Sequence, residues 1–156
     1  MQFCEWLQAT PVAVSISETW FPAVESIHVI ALSLVAGTIF IVDLRLLGLS
    51  TPSLGLRYLA ERVTPWTWRA FVLAAITGSL LFAANATTYY NNVPFRIKLV
   101  LLALAGINMA YFQLVTFRKV AEWDTGRPAG AARLAGVVSL VLWTGVIISG
   151  RWIGFI

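Results

Sequence analysis

The chain has 156 residues, of which 59% are hydrophobic and 12% charged, with a net charge of +4 and a mean hydropathy of +0.81. A soluble domain carries about 25% charged residues, so this balance argues against a water-soluble globule and for an integral membrane protein in a single membrane domain, residues 1–156. No basic stripe interleaved with aromatics appears, so nucleic acid is not an expected partner, and Cys4, the one cysteine, can form no internal disulfide.

The N-terminal segment has neither a basic n-region nor an A-x-A-type cleavage site, so no signal peptide is expected. Phe3, Trp6 and Leu7 fall at helical spacing before Thr10-Pro11 breaks the pattern, which predicts a short helix lying in the membrane interface and then an irregular link to Phe21. Trp20 and Phe21 suit an aromatic belt, and Pro22 a first helical turn. The first span is predicted over about 23–46, and a spanning helix needs about 20 mainly apolar residues. Thr51-Pro52 reads as the start of a short surface helix, with Leu54, Tyr58 and Leu59 on one side and Arg57, Glu61 and Arg62 facing water. Thr64-Pro65 restarts the chain, and a second span follows over about 68–89. Tyr89 to Pro94 is a polar turn, the third span covers about 95–117, Glu122 to Gly130 is a turn-rich loop, and the fourth span covers about 131–148. Gly136, Trp143 and Gly150 repeat at helical spacing and Gly145 pairs with Ser149, giving faces on which helices approach closely. The expected fold class is all-α: a four-helix membrane bundle with a short N-terminal interfacial helix.

Lys and Arg set the orientation. Arg45, Arg57, Arg62, Arg69, Arg118, Lys119, Arg127 and Arg133 fall on one side, against Arg96, Lys98 and Arg151 on the other. The first side is predicted to be cytoplasmic, which puts both termini outside, in the periplasm of a bacterial inner membrane. Glu25, His28, Asn85, Lys98 and Arg151 then share one layer near the outer face. Glu25 and His28 are neighbours on one helix side. Asp43, near the opposite end, is a candidate to pair with neighbours of Arg45 or with Arg69 at the cytoplasmic face. Ionisable groups inside a membrane are costly and mark sites or buried pairs. The plain alternative for Glu25 and Lys98 is a salt bridge that fixes packing. For His28, the one histidine, it is a hydrogen-bonded bundle residue rather than a haem ligand or proton relay.

The segments ESIH (Glu25–His28), DLRLLG (Asp43–Gly48), PWTW (Pro65–Trp68), TGSLLFA (Thr77–Ala83), PFRIK (Pro94–Lys98) and GRW (Gly150–Trp152) together resemble a family of small four-span bacterial membrane proteins of unknown function, over nearly the whole chain. More distantly, a histidine early in the first span and a lysine opening the third are similar to the haem-dependent protoporphyrinogen oxidase and copper-resistance D membrane families. That resemblance implies haem b with His28 as its iron ligand. The chain departs from it in having no second histidine.

Three functions fit these residues. One is a redox-type protein holding haem b or a quinone in the outer polar layer, with Lys98 and Arg151 as charge-assisted donors. The second is a ligand-free accessory subunit, or a homo-oligomer, joined through its small-residue faces. The third is a small transporter, for which the apolar midplane offers little polar path.

Overall fold

Thr10 divides the N-terminal segment in two. The computed structural model describes residues 1–49, 55–118 and 130–155, and its first helix, α1, spans Gln2–Gln8. Phe3 and Trp6 are exposed on it, their ring centroids 5.9 Å apart. Thr10 takes an extended backbone, donates to the Leu7 carbonyl at 2.7 Å and accepts from the Ala13 amide at 3.4 Å. One hydroxyl thus closes α1 and caps the next helix, with Pro11 at its first turn, where a missing N–H costs nothing.

The irregular link expected up to Phe21 is not there. Helix α2 runs unbroken over Pro11–Leu46, and Trp20, Phe21 and Pro22 lie within it. A π-helical turn at Ile16–Trp20 stands directly before Pro22. The wider turn accommodates a residue that cannot donate to the ladder. The second span also departs from expectation. Helix α3 is continuous over Leu56–Ala84 and passes through Pro65, so the surface helix and the span are one element. Thr67, two residues on, donates to Val63 or Thr38; hydroxyls of this kind help membrane helices absorb a proline. Thr51-Pro52 and residues 122–129 of the turn-rich loop lie outside the described residues.

Helix α3 stops at Ala84 because Asn85 leaves helical geometry (φ −139°, ψ 43°). The expected last turn of the span becomes a separate short helix, α4, Ala86–Asn91. Asn92 then accepts from the Phe95 amide at 2.9 Å and caps α5, with Pro94 in its first turn. Phe95 is stacked between Phe82 and Tyr89 at 5.3 and 5.6 Å. Helix α5 spans Val93–Val115, its end opening into a π-helical turn at Phe112–Thr116. Helix α6 spans Gly130–Trp152, about a turn longer than predicted.

Four of these helices, α2, α3, α5 and α6, are long and apolar enough to cross a membrane. Their outward surface fits that solvent: Ile30, Leu34, Ile76, Val100, Ile107 and Val141 are all exposed, which in water would be an aggregating surface and in lipid is the expected one. This is the pattern of a multi-pass integral membrane protein. Helix α2 packs along α3 and against α6, and α5 packs along α6. Two buried clusters hold them: Val35, Ala70, Ala105, Trp143 and Val146 near the middle, and Leu46, Leu56, Phe112, Ala132 and Ala135 toward the end of α2. The α1 helix is tied to α4, where Gln8 accepts from the Thr87 hydroxyl at 2.8 Å.

Candidate functional site

The five residues placed in the outer layer by their spacing separate into an inward pair and a rim. His28, on α2, is half-buried, and its Nδ1 lies 2.9 Å from the Thr77 hydroxyl on α3. The Thr77 hydroxyl also lies 2.8 Å from the Leu73 carbonyl and 3.2 Å from the Ala74 carbonyl, and the Ala74 backbone is a second partner of the imidazole. The ring packs by its Cε1 edge against the helix at Gly78: a Cβ there would stand 2.9 Å from His28 Cε1 and 3.5 Å from Nδ1. Lys98, at the start of α5, is also half-buried. Its stem and ammonium lie over Gly150 of α6, Nζ 3.7 Å from where a Cβ would be, and its charge is felt at His28.

Glu25 is exposed, one helical turn before His28. It faces the α4 side: burial pushes the Tyr89 phenol above its ordinary value, and the Glu25 carboxylate pushes it further. Arg151 is exposed and sits over the Phe155 ring at 5.2 Å. Asn85 is the residue at which α3 ends. His28 and Lys98 therefore share an interior layer, while Glu25 and Arg151 line its outer surface.

Thr77 holds Nδ1 of His28, and the Cε1 edge of the ring fills the space beside Gly78. Among the described residues no three of His, Cys, Asp and Glu come together as a metal site.

The open space is at the other end of the bundle. Helices α3 and α5 do not close on each other as the other neighbours do, and a cavity of about 550 Å³ lies among α2, α3, α5 and α6. Apolar side chains such as Ile39, Leu102, Phe112 and Trp143 make most of its wall, and Thr38, Thr67, Asn108, Ser139 and Asp43 are its inward polar groups. Asp43 comes 15 residues after His28 on α2, which at the rise of an α-helix is about 22 Å. The cavity and the histidine layer thus occupy opposite halves, separated by buried Ala31, Val35, Ala70 and Ala74.

Asp43 is only 4% exposed. The Ser139 hydroxyl is its hydrogen-bond partner, and its Oδ2 has none among the described residues. The pairing with Arg69 suggested by position does not occur: Arg69 is exposed and lies over the Trp66 ring at 5.1 Å. The thin signal for this site was phase. Asp43 stands on the same helical stripe as buried Val35 and Leu46, whereas its nearness to the span's end reads in one dimension as interfacial.

A family model described as a family of unknown function, DUF6644, matches residues 7–156. The chain belongs to that family. No curated protein and no solved structure matches it. Membership agrees with four apolar helices and assigns no activity.

Proposed function

We propose that this DUF6644 chain is a multi-pass membrane protein that binds a small, largely apolar molecule in the cavity among α2, α3, α5 and α6. The carrying observation is the cavity itself. Its volume of about 550 Å³ falls within the roughly 300–1,000 Å³ of ligand pockets, and an apolar wall with few polar groups is how such pockets are built. The gap between α3 and α5 offers a molecule dissolved in the bilayer a sideways route of entry. In the test, the purified protein is unfolded thermally in a nonionic detergent with a long-chain alcohol or a short-tailed quinone present. The ligand should raise the midpoint of the native chain and not that of Ala105→Phe, which fills the cavity. A panel in which nothing shifts the native protein would overturn the reading.

A redox role at the histidine layer is the second reading, favoured by a half-buried imidazole held through Nδ1 and a lysine charge nearby. Haem b would there need His28 as its one protein ligand. An iron-replete preparation without a Soret band removes it. The accessory-subunit or homo-oligomer alternative predicts no ligand and a stable partner on size-exclusion chromatography. The charge asymmetry of the loops supports a bacterial inner membrane with both termini periplasmic.

A further inference from the structure

We infer that the molecule held in the cavity carries a cationic, hydrogen-bond-donating head, of the primary-amine class, and that Asp43 receives it. This inference rests on the cavity reading and adds the chemistry of the ligand to it.

Thr38 donates to the Leu34 carbonyl at 2.8 Å and stands 2.9 Å from Thr67. Asn108 donates to the Ala135 carbonyl at 3.1 Å. Glu61, at the mouth, is exposed and paired with Arg57 at 3.0 Å. Asp43 differs from these: its carboxyl is almost wholly buried, one oxygen has Ser139, and Oδ2 has no partner among the described residues. Buried polar atoms in folded proteins are nearly always satisfied, and an orphan is a reason to look for a ligand or ion.

The sign of that ligand follows from the wall. Its two ionisable groups are Asp43 and Glu61, both acidic, and no Lys, Arg or His lines it among the described residues. Arg45 is buried nearby but makes its own interaction and, two residues on from Asp43, points to another side of α2. A head group that only accepts hydrogen bonds, such as a quinone carbonyl, can pair with this carboxyl only through a proton on Oδ2, a neutral and weaker bond. An ammonium supplies N–H donors and charge together, the stronger kind of hydrogen bond. The Trp143 ring in the same wall adds an aromatic face of the type that attracts cations, and the apolar residues accept an alkyl body.

The test compares dodecylamine, dodecanol and a decyl quinone as ligands of the full chain in nonionic detergent, with binding read from the quenching of tryptophan fluorescence. Dodecylamine should bind about ten-fold more tightly than dodecanol, as a charged hydrogen bond warrants. Asp43→Asn should abolish that advantage. Equal amine affinity in Asp43→Asn, or a quinone or alcohol that binds the native chain as well as the amine, overturns the inference while the cavity reading survives. If none of the three binds, both fall together. Should Asp43→Asn fail to fold, dodecyltrimethylammonium replaces the variant: lacking N–H donors, it should bind the native protein more weakly than dodecylamine, and equal binding overturns the assignment.

Discussion

At Gly78 and Gly136 the absence of one carbon decides how two helices meet. A Cβ on Gly78 would stand 2.9 Å from the His28 ring, and one on Gly136 would stand 3.1 Å from Leu46 Cβ and 3.4 Å from the Asp43 carbonyl. Gly78→Ala should destabilise the protein by about 1–3 kcal/mol, the usual result of overpacking, as measured by thermal unfolding in detergent. With His28→Ala added, most of that loss should disappear, because residues in contact do not act additively. Strictly additive effects would mean that the imidazole does not lie on this face. Gly136→Leu should cost more, since its neighbours include backbone. The hydroxyl pairs give a second comparison. Thr67→Val removes one bond between α2 and α3 and leaves Thr38 bonded to its own helix, so a loss of about 0.6 kcal/mol is expected. Thr77→Val removes the side-chain partner of a half-buried imidazole and should cost more, about 1–3 kcal/mol. Equal effects would mean that the Ala74 backbone satisfies His28 without Thr77.

Among the elements, α2 and α3 depart furthest from what their sequences predict. Both contain a proline that reads as a boundary, and in both the helix continues. A proline breaks a helix in water because the freed carbonyl and the steric clash go uncompensated. In a membrane bundle the alternative to a helix is a backbone unpaired in lipid, which is worse. The cost is absorbed by a π-helical turn before Pro22 and by the helical hydroxyl of Thr67 near Pro65. Pro65 should still weaken the first turns of α3, since the Glu61 carbonyl loses its usual donor. Hydrogen exchange should find residues 56–63 less protected than 70–84, and Pro65→Ala should raise their protection. Uniform protection of the native helix would show that Pro65 imposes no local weakness. The span ends that were legible had their own chemistry: Asn92 with Pro94 at the start of α5 is a side-chain cap followed by a first-turn proline, both local signals.

For the whole molecule, orientation is the property that the helices alone leave open. The excess of Lys and Arg beside Arg57 and Arg127 predicts those loops inside. A reporter fused after Ile156 should then be active only on the outer side of the membrane; cytoplasmic activity reverses the molecule. In this orientation the cavity belongs to the cytoplasmic half and the His28–Lys98 layer to the outer half. Between them lie buried alanines and Val35, and no row of polar groups joins the two among the described residues.

The all-α class, four apolar spans and the close approach at Gly136 were written in composition and period, because in lipid a chain must satisfy its backbone within each helix and small residues permit contact. The inward turn of His28 was likewise suggested by polarity alone. What only tertiary structure decided was which polar groups meet. Spacing grouped Glu25 and Arg151 with His28, but helix rotation leaves both exposed. Spacing assigned Asp43 to an interfacial cation, yet packing buries it beside Ser139 of a helix some ninety residues away. The cavity has no signature in the chain, since it arises from two helices, α3 and α5, that fail to close, and an absence of contact is a property of the assembled bundle rather than of any segment within it.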